Sequence, residues 1–162
     1  MDFFYPNWNN DMWRIWGLIS KGDRHYFEVE GEKKFDKDRI ERFCLEAGIA
    51  IYDTAEEVVR LKNNASDNFL RIVRYSDIAA LLAEIPLCRA VAATGQKSVE
   101  TLQQLMGFAP LPVGGSCETD FAGRRLTVWR MPSSSRAYPR PIEWKAAYYR
   151  QMYMSVGGVQ SE

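Results

Sequence analysis

The stretch VWRMPSSSRAYPRPIEWKAAYYRQM, Val128 to Met152, sets a strand, a loop of small residues and a helix end to end. The strand belongs to a pair: CETDF (117–121) and RLTVWR (125–130) read as two strands joined by the turn Ala122-Gly123-Arg124. The second strand runs straight into MPSSSRAYPRP, and a closing helix is expected from Ile142 to about Met154, carrying Trp144, Tyr148 and Tyr149. Upstream, Cys88 to Ala93 reads as a buried strand, and Thr94-Gly95-Gln96-Lys97 turns it into a helix that ends near Met106. Earlier still, a helix is expected from Ser76, its cap, to Ile85, with Pro86 as punctuation. A helical stretch over Ala55 to Arg60, a polar turn LKNNASD (61–67) and a short buried strand Ile49–Tyr52 ending at Asp53-Thr54 precede it.

Nearer the amino terminus, Asn9 or Asn10 can cap a helix from about Asp11 to Ser20, whose stripe is Met12, Ile15, Trp16 and Ile19. A second helix starts near Asp36 and stops at Gly48, where a left-handed cap is expected. KGDRHYFEVEGEKKF between them reads as a loop with at most a short strand. Strands alternating with helices argue for an α/β layered domain with a mainly parallel sheet. Ligands of such sheets bind outside the carboxyl ends of the strands, which here are Asp53-Thr54, Thr94 to Lys97 and the MPSSSR loop. Residues 1–155 read as one domain and 156–162 as a loose tail.

Composition narrows the chemistry. The chain has 162 residues, 46% hydrophobic and 26% charged, enough apolar residues for one real core. Cys44, Cys88 and Cys117 are isolated and His25 is the single histidine. That set offers neither four grouped zinc ligands nor a Ser–His–Asp hydrolase site. The thiols are expected to be reduced and mostly buried, in a cytoplasmic protein, and His25 to lie on the surface. No run reaches the length of a membrane span, and the first residues lack the features of an export signal. Net charge is zero, but Arg124 to Arg150 holds seven basic residues against Glu143 alone. A local basic face of this kind can bind phosphates; a solvated helix flank would show the same charges.

As composition alone, MPSSSR is an ordinary Ser/Pro turn. Small hydroxyl residues also let a backbone approach a phosphate closely, and Arg136 adds a long cation. The full string resembles the second conserved motif of the mismatch-specific uracil/thymine-DNA glycosylases, M-P-S-S-S followed by Arg and a helix rich in Tyr and Lys. It also resembles the L-P-S-T-S-P-A-N motif of the hypoxanthine-DNA glycosylases. FYPNWNNDMWRIWG (4–17) is similar to the stretch of an aromatic, Pro or His, and then N-x-F-W in that uracil-DNA glycosylase superfamily. Weaker echoes are GIAIYDTA (48–55), near G-I-A-L-W-D, and ATGQKS (93–98), near an N-G-K turn with Thr94 in place of Asn.

This resemblance implies a three-layer αβα domain with a short, mainly parallel central sheet. The family's first strand and its G-I-N-P-G or G-S-F-P motif would lie upstream of Met1. Either the start lies further upstream, or the chain is a shortened, inactive relative. The implied activity is base-excision repair: extrusion of uracil or hypoxanthine from double-stranded DNA and hydrolysis of its N-glycosidic bond, with no metal or other cofactor. By the same resemblance Pro132, Ser133, Ser134 and Ser135 would touch the DNA backbone and Arg136 would fill the vacated space. Tyr5 would stack on the base and Asp53 would assist at the pocket edge. Asn10 would act in catalysis, although as a residue it serves equally well as a helix cap. Two rival functions are a DNA-binding relative without activity and an α/β enzyme acting on free nucleotides.

Overall fold

The computed structural model describes residues 3–53, 55–60, 70–75 and 77–157. In chain order its elements are α1 (Met12–Lys21), α2 (Lys37–Ala47), β1 (Ala55–Arg60), β2 (Leu70–Tyr75), α3 (Ile78–Ala83), β3 (Ala90–Thr94), α4 (Gln96–Met106), β4 (Ser116–Phe121), β5 (Arg124–Met131) and α5 (Ile142–Ser155). The chain is thus a mixed α/β protein. Its contacts divide it into two compact units, one made of Met1–Tyr52 with Ser133–Glu162 and the other of Asp53–Pro132.

The first unit is helical and built on aromatic rings. Asn10 Oδ1 accepts the Met12 N–H at 2.9 Å and starts α1. Met12, Ile15 and Trp16 of the expected stripe are buried, and burial extends all round the first half of the helix, Met12 through Gly17, while Leu18 to Lys21 are half-buried or exposed. The Trp16 ring meets Tyr149 and Tyr153 of α5 edge-on and tilts against Phe43 of α2. Asp36 caps α2 by accepting the Arg39 N–H, and Gly48 ends it at φ 71°, a left-handed conformation that glycine adopts without a Cβ penalty. Tyr153 donates its hydroxyl to the Ala47 carbonyl, tying α5 to the end of α2.

The second unit holds a three-stranded mixed sheet in the order β3-β5-β4. β3 and β5 run parallel, with Ala90 opposite Thr127 and Thr94 opposite Met131. β4 and β5 form the expected hairpin, Phe121 opposite Arg124. Its two turn residues, Ala122 and Gly123, both have positive φ, as a tight type I′ connection requires. Leu126 and Val128 of β5, with Ala93 of β3, form a core with Leu82, Val99, Leu102 and Met106. Parallel β3 and β5 end side by side, where the Gly95 N–H donates to the Met131 carbonyl at 3.1 Å.

Several expectations need correction. Residues 55–60 form β1, not a helix, paired antiparallel with β2. The helix-favouring Ala55-Glu56-Glu57 is overridden by pairing of the β-branched pair Val58-Val59 with 71–72. Ile49–Tyr52 is not a strand, and Tyr52 is 55% exposed; it packs on Phe4 instead, ring centroids 5.5 Å apart. α3 is shorter than expected and is capped by Asp77, which accepts the Ala80 N–H. The three cysteines are free and half-buried rather than mostly buried. The turn expected over 61–67, Thr54, the Ser76 cap and tail residues 158–162 lie outside the described residues.

Candidate functional site

The two segments that resemble one family's motifs come from opposite ends of the chain and meet in the first unit. Asn10 and Ser135 form an isolated antiparallel bridge. Around it the Asp11 N–H donates to the Ser134 carbonyl at 2.8 Å, and the Arg136 N–H donates to the Asn9 carbonyl at 3.2 Å. The loop therefore does not hang free between strand and helix. It is stitched to the entrance of α1.

Within the loop, Ser133 Oγ accepts the Ser135 N–H and Ser135 Oγ accepts the Ala137 N–H. A hydroxyl that accepts in this way still has its own proton to donate. Ser133 and Ser135 are half-buried, whereas Pro132 and Ser134 are buried. Ser133, Ser135 and Arg136 are thus the loop side chains that an outside ligand can reach. The Arg136 side chain is 48% exposed.

Behind the loop lies a charge cluster centred on Asp11. Its Oδ1 accepts from Arg14 Nη1 at 3.1 Å and from Arg136 Nε at 3.2 Å. Its Oδ2 lies 4.0 Å from Lys145 Nζ, which donates to the Ser135 carbonyl at 2.9 Å. Arg14, buried against the paired rings of Trp8 and Phe35, also binds Glu28 and the carbonyls of Trp8 and Asn10. Glu28 in turn meets His25, which is exposed as expected. Three basic side chains, Arg14, Arg136 and Lys145, thus face two carboxylates, Asp11 and Glu28. Burial pulls the Lys145 ammonium below its ordinary value, Asp11 opposes that shift, and Arg136 adds to it.

The sequence reading missed this cluster. Lys145 left a signal, since it falls on the apolar stripe of α5 between Ile142 and Tyr149, and a charge on a buried stripe demands a partner. Arg14 left none, because it falls off the Met12, Ile15, Trp16 and Ile19 stripe, where a charge is ordinarily solvated.

Of the other predicted residues, Asn10, one residue ahead of the α1 cap position at Asp11, commits its Oδ1 to the Met12 N–H. Tyr5 is half-buried with a left-handed backbone, φ 56°. Burial, and after it the charge of Tyr5, pushes the fully buried Tyr149 phenol well above its ordinary value. Asp53 belongs to the second unit and is exposed. Two surface grooves open elsewhere, one along Arg89, Arg124 and Arg125, the other along Trp8, His25 and Glu28. None of the predicted residues lines either groove.

Among the described residues no group of three His, Cys, Asp or Glu side chains is placed to hold a metal ion, and no helix is long and apolar enough to cross a membrane. Comparison with protein-family models, curated proteins and solved structures returns no match.

Proposed function

We propose that this chain is a uracil-DNA glycosylase-like protein that grips double-stranded DNA through the loop at Ser133–Arg136, extrudes a deaminated base and hydrolyses its N-glycosidic bond. The observation that carries this reading is the Asn10–Ser135 bridge. Two segments that separately resemble motifs of one superfamily are adjacent in space although far apart in sequence. In this mechanism the Ser133 and Ser135 hydroxyls donate to phosphate oxygens, and Arg136 exchanges Asp11 for the DNA or fills the vacated stack. The Asn10 amide orients water or hydrogen-bonds the base, and Tyr5 stacks on it. Rate acceleration comes from positioning and from stabilising the departing base, not from a covalent residue. The reading carries with it the family's three-layer αβα architecture, in which the parallel pair β3 and β5 would belong to the central sheet.

Duplexes carrying a single deoxyuridine or deoxyinosine, incubated with the protein and then treated with alkali, are expected to break at that site. Asn10→Ala should abolish breakage while leaving duplex binding intact. Arg136→Ala should weaken both. Duplex binding without breakage would replace the enzyme by a DNA-binding relative. No duplex binding, with Arg136→Ala silent, would overturn the reading and favour an enzyme of free nucleotides.

A further inference from the structure

The α5 helix carries aromatic rings on two faces, and only one of them is used in the core. Ile142, Lys145, Ala146, Tyr149, Met152 and Tyr153 form its buried stripe. Trp144 and Tyr148 lie off this stripe and are half-buried. Their ring centroids are 4.9 Å apart, and Tyr138 extends the row 6.1 Å beyond Trp144. The Arg140 guanidinium sits 5.1 Å over the Trp144 ring and has no ion pair among the described residues. At the Tyr138 end the row runs into Arg136 and the serine loop. An amphipathic helix needs one apolar stripe, and this second row of rings lies outside it.

We propose that this row is a stacking platform for single-stranded DNA. Aromatic rings beside Arg140, which has no ion pair among the described residues, and Arg136, which can exchange Asp11 for a ligand, combine what such a strand requires, ring faces for its bases and cations for its phosphates. The neighbouring rings are inclined to one another by 47° and 68°, so they do not stack face to face. A duplex hides its base faces and offers the row only phosphates, whereas unpaired nucleotides present both groups. The charge complementarity is local, since Arg136 and Arg140 flank the rings on a chain of zero net charge. The platform goes beyond the glycosylase-like reading and does not depend on it, because its ligand is an undamaged single strand.

The test is fluorescence anisotropy of a short labelled oligodeoxythymidine, with the same strand annealed to its complement as the control. The intact protein should bind the single strand more tightly than the duplex, and less tightly as salt rises. Trp144→Ala and Tyr148→Ala should each weaken single-strand binding roughly tenfold, within the range for losing one stacked base. Trp144→Phe should retain most of the affinity. Arg140→Glu, which keeps every ring, should weaken binding through charge alone and guards against a fold defect in the alanine variants. Equal affinity for the duplex, or unchanged affinity in Trp144→Ala and Arg140→Glu, would overturn the platform. Displacement of the row's function to a proline-rich peptide, bound in place of the oligonucleotide, would overturn it too. Failure of deoxyuridine cleavage would leave this outcome readable by itself.

Discussion

Replacing Asp11 by Asn tests whether one carboxylate holds the loop, α1 and α5 together. Asn preserves shape and one acceptor but removes the charge that faces Arg14, Arg136 and Lys145. Two unit charges 4 Å apart attract by about 4 kcal/mol at an effective dielectric constant near 20, which is the Lys145 separation. Arg14 keeps Glu28 as a partner, so its loss is smaller. Arg136 is half exposed and its contribution is screened. Removing the carboxylate also recovers its own burial cost, and the net penalty expected for breaking a buried pair is about 3–5 kcal/mol. Urea unfolding followed through the buried Trp13 and Trp16 measures it directly.

The same variant makes a pH prediction. Lys145 has a folded value below the 10.5 of the free side chain. Between those two values the unfolded chain binds the extra proton, so stability rises with pH across the window and is lost as pH falls through the folded value. Without Asp11 the window should extend to lower pH, and in Lys145→Met this rise should vanish. Asp11→Asn should also cost about 1–3 kcal/mol less when Lys145 is already Met, because the two residues interact directly. A penalty under about 1 kcal/mol, equal in both backgrounds, would refute the reasoning.

Gly17→Ala should destabilise despite its helical position, where Ala is ordinarily better by ~1 kcal/mol, because a Cβ there would lie 2.5 Å from the Asp23 carbonyl oxygen; a thermal melt reads the sign. Ala122→Asn should stabilise the β4–β5 hairpin by about 1 kcal/mol, since Ala122 holds φ 53° and Asn tolerates that region better. Cys44 is raised to about 11 by burial and then by Glu41. In a variant with Cys88 and Cys117 changed to Ser, its iodoacetamide alkylation should stay slow at neutral pH and accelerate only toward that value.

Much of the fold could be read from local signals. Gly48 and Gly107 mark real left-handed helix ends, and Ala122-Gly123 marks a real hairpin. Where the reading failed, the deciding information was non-local. Ala55-Glu56-Glu57 favours helix by itself, and only the partner strand 70–75 makes it β1. Ile49–Tyr52 has a strand's residues, yet no strand among the described residues pairs with it. The loop at Ser133–Arg136 could be singled out from its residues, but its anchor could not. Nothing near Asp11 in sequence announces that Lys145 and Arg136 will share it, because that pairing follows from α1 and α5 packing together. Only the lysine on an apolar stripe hinted at a buried charge.

The first unit is discontinuous, begun by α1 and completed by α5, with Asp53–Pro132 lying between them in the chain. On the ribosome this order separates the two halves in time. The middle segment emerges whole while α1 still lacks its partner, for on the order of ten seconds at ordinary rates of synthesis. Throughout that interval Trp13, Trp16 and the Arg14 cluster have neither the α5 rings nor Lys145 to close over them. The nascent amino-terminal third is therefore the segment most in need of a chaperone, and slowing translation just before Ile142 should lower the yield of folded protein more than slowing it after Ser155.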